Sequence, residues 1–163
     1  MKILITGATG FLGAHLVRRL AREDVQMALL IRPGSNQWRI DPLPKNAAII
    51  TGSLSDLPTK AIEQFGPDTI VHAAWHGVTN EHRNDPTQSE NLKPTAMLAE
   101  IGCKHFIGLG SQAEYGPLNK KITETDGTEP TTLYGATKLA AGTVTQERCG
   151  QLGVRWSWLR VFS

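Results

Sequence analysis

A tyrosine and a lysine four positions apart, Tyr134 and Lys138, could carry out proton-transfer chemistry. On a helix, residues with this spacing share a face, so the phenol and the ammonium can converge on one point. A phenol titrates near 10, and a neighbouring cation favours the phenolate, which suits it to act as a general acid or base. Such a pair arises by chance in roughly a third of chains of this length, so a surface tyrosine beside a solvated lysine is the alternative.

Three glycines spaced by three residues, Gly7, Gly10 and Gly13, lie between the apolar run 2–6 and the amphipathic run 14–23. In a strand–turn–helix setting, the first glycine permits a tight turn, the second lets the backbone approach a pyrophosphate, and the third lets the helix pack on the strand. The helix N-terminus then offers free N–H groups to phosphate. A turn that merely needs glycine is the alternative, but the flanking runs favour a nucleotide site.

Short apolar runs alternate with longer amphipathic ones along the rest of the chain, which predicts an α/β domain with a parallel sheet. Strands are predicted at 2–6, 27–32, 46–51, 68–74, 103–110 and 154–162, and helices at 14–23, 83–102 and 131–150. We expect Pro94 to bend or break the second helix. Thr131 or Thr132 is a candidate N-cap of the third, and Gly150 lies near its end. The polar stretch 111–130 reads as a surface loop.

Composition fits one ordinary globular domain of 163 residues with 40% hydrophobic and 20% charged residues. The net charge of +2 comes from scattered basic residues, which does not indicate a nucleic-acid partner. Two cysteines, Cys103 and Cys149, lack metal-ligand spacing, and the histidines show no HExxH pattern, so no metal is predicted. No signal peptide or long apolar span is recognised, so we expect a cytoplasmic protein without a membrane partner.

Several segments occur in the order and spacing of one known family; they are ITGATGFLGAHLVRRL, TIVHAA, ENLKPTAMLAE, HFIGLGSQAEYG, YGATK and LRVF. The chain resembles, over essentially its whole length, the nucleotide-binding part of the extended short-chain dehydrogenase/reductases of the NAD-dependent epimerase/dehydratase family. The resemblance implies a Rossmann fold, a doubly wound parallel sheet with helices on both faces. It also implies that relatives continue into a smaller substrate-binding region, so we expect a fragment of a longer enzyme that lacks this C-terminal region.

By this resemblance the catalytic residues are Ser111, Tyr134 and Lys138. Ser111 would hydrogen-bond and polarise the substrate oxygen while hydride moves at the adjacent carbon, although a turn-capping serine is the alternative. Lys138 would also hold the nicotinamide ribose. The residues expected to bind the cofactor are Gly7, Gly10, Phe11, Leu12, Gly13, Arg32, Leu54, Ala73, Ala74, Trp75, Asn91, Leu109, Tyr134, Lys138 and Phe162.

The end of the second predicted strand bears on the choice between NAD and NADP. Relatives that prefer NAD carry an acidic residue there, whereas this chain has Arg32, which could clamp a 2′-phosphate. We therefore favour NADP over NAD, with an exposed arginine as the alternative. Ser53 stands where many relatives have an aspartate that contacts adenine. Trp75 and His76 are candidates to line the nicotinamide or substrate pocket, or else a core tryptophan beside a surface histidine.

Gln112 and Ala113 occupy the positions at which sugar dehydratases carry an Asp-Glu pair, so the dehydratase proton shuttles are missing. The resemblance then leaves a reductase or an epimerase of a nucleotide-activated sugar, such as a 4-keto-6-deoxyhexose, that reacts at C4. A homodimer is also expected by resemblance. A dinucleotide-sensing regulator that binds NADP without chemistry is the alternative function.

Overall fold

The structure, a computed structural model, describes residues 1–162. Six parallel strands form one sheet in the order β3-β2-β1-β4-β5-β6. They are β1 (Lys2–Thr6), β2 (Gln26–Ile31), β3 (Ala47–Thr51), β4 (Thr69–His72), β5 (His105–Ser111) and β6 (Arg155–Val161). This order is that of the Rossmann fold, so the predicted fold class is confirmed.

Helices cover both faces of the sheet. They are α1 (Phe11–Leu20), α2 (Thr59–Phe65), α3 (Leu92–Glu100) and α4 (Leu133–Leu152). The core on one face joins α1, through buried residues such as Val17, to β1 and β2. On the other face, Ile62, Leu98 and Cys149 from the remaining three helices pack against the same strands. The central strands are therefore buried on both sides, as their nearly continuous apolar runs indicate.

Helix boundaries differ from the predicted ones for local reasons. The single helix predicted at 83–102 is wrong: a 3₁₀ segment ends at Asn91 and α3 covers only Leu92–Glu100. Pro94 lies in the first turn of α3, where its missing N–H is not needed, so it does not interrupt the helix. Thr132 caps α4 by accepting from the Gly135 N–H. The helix passes Gly150 and ends at Leu152, and it is followed by Gly153, whose φ of 66° gives the left-handed capping residue.

From β1 the chain adds β2 and β3 on one side of the sheet, and it then adds β4, β5 and β6 on the other side. The switch point lies between β1 and β4, which are hydrogen-bonded neighbours. In parallel α/β sheets, ligands bind beyond the carboxyl ends of the strands at such a switch point. The segments that follow β1, β4 and β5 begin after Thr6, His72 and Ser111, and all three meet at this edge. These three segments contain most of the predicted site residues.

Candidate active site

The turn between β1 and α1 is shaped by its glycines. Gly7 has a φ of +71°, and a Cβ there would lie 2.7 Å from the Ala73 carbonyl carbon. A Cβ on Gly13 would collide with the Gly7 carbonyl oxygen. No side chain caps α1, which starts beyond Gly10, and its first turn has no acidic residue. Its free N–H groups are therefore not taken by the protein's own carboxylates and suit a phosphate group.

Two apolar residues at the start of α1, Phe11 and Leu12, are 69% and 47% exposed. The Phe11 ring meets the His15 ring edge to face, with centroids 5.0 Å apart. The helix start therefore combines unclaimed backbone donors with an exposed apolar rim, which fits a dinucleotide.

A buried polar chain fastens β1 to β4 and α3. The Ala74 N–H donates to Thr6 Oγ1 (3.1 Å), and Thr6 Oγ1 lies 2.8 Å from His72 Nδ1. Thr95 donates to the Asn91 carbonyl and therefore accepts from His72 Nε2 (3.1 Å). His72 thus holds its proton on Nε2 and accepts from Thr6 at Nδ1. Burial, with a smaller contribution from Lys138, lowers the pKa of His72 to about 3.

The segment after β4 is held in place by two buried amides. Trp75 Nε1 donates to Gln88 Oε1 (2.9 Å). Asn91 Oδ1 accepts from the His76 N–H (2.8 Å), and its Nδ2 donates to the carbonyls of His76 and Gln88. Both polar atoms of the Asn91 side chain are thus hydrogen-bonded within the protein. The predicted contact of Asn91 with a cofactor stays a prediction. Ala73 and Ala74 lie beside the glycine turn.

Tyr134 and Lys138 lie in the first two turns of α4, next to Trp75. Lys138 Nζ donates to the Leu109 carbonyl of β5 (2.7 Å) and lies 3.7 Å from the centroid of the Trp75 ring. The Tyr134 ring meets Trp75 edge-on at 6.2 Å, and Lys138 Nζ is 6.0 Å from the Tyr134 centroid. The Arg83 guanidinium lies 5.3 Å from the same ring, with its Nε buried and unpartnered. The predicted pair therefore shares one face, at the edge of the sheet.

Burial controls the charge of Lys138, which is only 5% exposed. Desolvation lowers its pKa to about 7, although the charge of Glu114 acts in the opposite direction. The hydrogen bond to the Leu109 carbonyl and the cation–π contact with Trp75 replace only part of the hydration that the ammonium would have in water. At neutral pH Lys138 is thus divided between ammonium and amine, whereas its residue type alone predicts a permanent cation.

Ser111 ends β5 and starts a short 3₁₀ turn, Gln112–Glu114, in a reciprocal cap. Its Oγ accepts from the Ala113 N–H (3.2 Å), while the Ser111 N–H donates to Glu114 Oε1 (2.8 Å). A Cβ on Gly135 would collide with the Ala113 carbonyl, so α4 starts directly against this turn. Ser111 therefore caps the turn, as the alternative interpretation expects, and also lies next to the start of the helix that carries Tyr134.

The adenine end of the expected site is more open. Arg32 is exposed, and its Nε lies 3.3 Å from Ser35 Oγ. Leu54 packs against the core, while Ser53 Oγ accepts from the Asp56 N–H. None of these contacts blocks a nucleotide from approaching Arg32.

A cleft of about 680 Å³ opens beside Tyr134's neighbour Arg83 and beside Ala113, Thr132 and Phe162. Phe162, a predicted cofactor contact, is more than half exposed, and its ring centroid lies 6.1 Å from that of Tyr115. This cleft adjoins the Ser111 turn and the start of α4, where a substrate could meet both.

Within residues 1–162, no group of three or more potential metal ligands is found. No helix in the described part of the chain is long and apolar enough to cross a membrane.

Comparison with known proteins identifies the family. The chain is 26% identical to the UDP-glucose 4-epimerase of Corynebacterium glutamicum, over all of this chain and 51% of that protein. It is 29% identical to the dTDP-4-dehydrorhamnose reductase of Shigella flexneri, over 98% of this chain and 52% of the relative. The UDP-Glc/GlcNAc 4-epimerase of Campylobacter jejuni superposes with a TM-score of 0.86 at 24% identity, covering 99% of this chain and 53% of that one.

The chain therefore spans about half the length of the curated relatives it matches. The family model that describes the NAD-dependent epimerases and dehydratases matches residues 3–163, nearly the whole sequence. The chain belongs to the NAD-dependent epimerase/dehydratase family.

Proposed function

We propose that this chain is the dinucleotide-binding and catalytic part of an enzyme that moves hydride to or from C4 of a nucleotide-activated sugar. One observation carries the proposal: Lys138 Nζ donates to the Leu109 carbonyl, and Lys138 shares a face of α4 with Tyr134 beside the Ser111 turn. A 4-epimerase and a 4-keto reductase are both among its relatives, and both react at the same carbon.

The residues present fit a dinucleotide at the switch point. Gly7 and Gly13 have no side chain at the two places where a Cβ would clash with the backbone of the turn. The N–H groups at the start of α1 suit the diphosphate. Lys138 would hold the nicotinamide ribose, and Trp75 borders the same place. When bound, the nicotinamide supplies the hydride acceptor or donor. Because the family is NAD-dependent, NAD is the default cofactor; Arg32 is the reason to test NADP.

The chain's own residues would handle the proton. As hydride leaves C4, the Tyr134 phenolate would take the proton of the C4 hydroxyl, and it would return this proton when hydride comes back. Ser111 would donate a hydrogen bond to the same oxygen. An epimerase needs both half-reactions on one sugar, whereas a reductase needs only the second. A charged Lys138 favours the phenolate form of Tyr134. Since Lys138 is only partly charged at neutral pH, its effect on Tyr134 depends on ligand binding to restore the full ammonium charge.

Replacing Tyr134 with Phe tests the proposal. The variant is made in the chain extended by the substrate-binding region that the family resemblance implies. We expect kcat with dinucleotide and UDP-glucose, or a dTDP-4-keto-6-deoxysugar, to fall by about 10²–10⁴-fold, because a positioned general acid–base group is lost. The Kd for dinucleotide should stay within about two-fold, as the ring remains. Trp38→Phe, which alters an exposed aromatic side chain on a different segment of the chain, serves as the control. Unchanged turnover in Tyr134→Phe would rule out this mechanism.

The cofactor is tested by quenching of tryptophan fluorescence with NAD and with NADP. If Arg32 clamps a 2′-phosphate, Arg32→Ala weakens NADP binding about ten-fold or more and leaves NAD binding unchanged. Equal loss for both dinucleotides, or no loss, would remove the argument for NADP.

A further inference from the structure

The carboxylate of Glu114 is fully buried beside Ser111. No motif in the sequence predicts a role for this residue. It is 0% exposed and accepts three hydrogen bonds. Its Oε1 accepts from the Ser111 N–H (2.8 Å) and from Trp158 Nε1 (3.0 Å), and its Oε2 accepts from Arg160 Nε (2.7 Å). Arg160 in turn donates to the Tyr115 hydroxyl (3.0 Å).

Room for this carboxylate is made by the glycines of β5. A Cβ on Gly110 would collide with Glu114 Oε1 and Trp158 Nε1, and one on Gly108 would collide with the Trp158 ring. A buried ion pair is weak evidence for stability, because desolvation offsets most of the Coulombic attraction. The main role of the Glu114 carboxylate is therefore to position a neighbouring group. Its backbone partner is the N–H of Ser111.

The cap fixes which way the Ser111 hydroxyl can act. One lone pair of Oγ accepts from the Ala113 N–H, and Glu114 binds the Ser111 backbone N–H rather than its hydroxyl. No acceptor for the Ser111 O–H proton is found among residues 1–162. The hydroxyl proton is thus free to be donated to a bound ligand.

We propose that Glu114 is a positioning residue that holds the Ser111 backbone so that the Ser111 hydroxyl is presented to the substrate oxygen as a hydrogen-bond donor. This inference rests on the proposed function for the identity of that oxygen. Without this hold the Ser111 backbone would shift, the hydroxyl would no longer be aimed at the substrate oxygen, and its polarising effect on a C4 carbonyl would be lost.

The first test needs no turnover. Hydrogen exchange of the Ser111 amide is measured by NMR in the wild-type chain and in Glu114→Val/Arg160→Met, a double variant that leaves no unpaired buried charge. We expect at least about ten-fold faster exchange of this amide in the double variant. The control Glu100→Val/Arg148→Met, which removes an exposed ion pair, should leave it unchanged. Equal exchange in all three proteins, with the variants folded, would overturn the inference.

The second test is a double-mutant cycle on kcat. Glu114→Val/Arg160→Met should lower kcat by about ten-fold to a hundred-fold with the dinucleotide KM unchanged, because an oriented donor is lost. In a Ser111→Ala background the same change should cost less than about two-fold, since the hydroxyl it positions is already gone. Full additivity would overturn the inference. Both kcat measurements use the chain extended by the substrate-binding region that the family resemblance implies. Absence of turnover of that wild-type enzyme on any nucleotide sugar would count against the proposed function instead, and the exchange test would still show whether Glu114 holds the Ser111 backbone.

Discussion

Replacing Lys138 with methionine should change how the stability of the chain depends on pH. Methionine keeps the apolar stem in contact with Trp75 and removes only the group that titrates. In the folded chain, burial lowers the pKa of Lys138 to about 7 from 10.5. Between these values the unfolded chain binds a proton that the folded chain has lost, so the free energy of unfolding rises with pH over this range.

The size of the effect follows from the same shift. At 1.36 kcal/mol per unit, a depression from 10.5 to about 7 penalises the folded state by about 5 kcal/mol below pH 7. About 2 to 3 kcal/mol of this is recovered between pH 6 and pH 9. Lys138→Met has no such penalty, so it should be more stable than wild type at pH 6 and should lose about half of that advantage by pH 9.

Urea denaturation at pH 6, 7.5 and 9 measures this difference directly. Groups distant from Lys138 contribute equally to both proteins and cancel in the comparison. His72, whose pKa is lowered to about 3 by burial and to a smaller extent by Lys138, stays neutral in the folded chain across this pH range. Lys60→Met, which alters an exposed lysine on α2, should run parallel to wild type. Parallel pH profiles for wild type and Lys138→Met would refute the assignment of Lys138 as a desolvated, partly neutral base.

Three other predictions follow from the same contacts. Because burial lowers the pKa of His72 to about 3, wild type should lose up to about 5 kcal/mol of stability as pH falls from 6.5 to 3, whereas His72→Gln should lose less in acid denaturation. Gly13→Ala should weaken dinucleotide binding in a fluorescence titration by at least about ten-fold, because its methyl would displace the Gly7 carbonyl; Gly150→Ala, in open space on α4, should instead raise stability by about 0.5–1 kcal/mol in urea. Trp75→Ala should raise the pKa of Lys138, followed by NMR titration of Nζ, because it admits water; an unchanged value would mean that the Leu109 carbonyl and the core, not Trp75, control it.

Much of the fold could be predicted, because buried parallel strands have continuous apolar runs and α1 has a clear apolar stripe. The short helix α2 could not, since Ile62 is its one buried residue and no side chain caps it. The predicted end of α4 lies two residues before the observed one, because Gly150 has an ordinary helical conformation and Gly153, not Gly150, takes the left-handed one. Local spacing does not tell two such glycines apart.

The site divides in the same way. Helical spacing was enough to place Tyr134 and Lys138 on one face, and the glycine spacing was enough to place the turn beside β4. The ion pair of Glu114 with Arg160 joins residues 46 positions apart, and the bond of Trp75 to Gln88 closes a loop. Such contacts depend on tertiary packing that no local pattern specifies. Nor does residue type show that Lys138 would be desolvated.

The most direct test of the central claim is a crystal structure of this chain with NAD or NADP bound. We expect the diphosphate on the N–H groups at the start of α1 and the nicotinamide ribose within hydrogen-bonding distance of Lys138 Nζ, with the Tyr134 hydroxyl facing the nicotinamide ring. A dinucleotide bound elsewhere, or a nicotinamide that contacts neither Tyr134 nor Lys138, would contradict it.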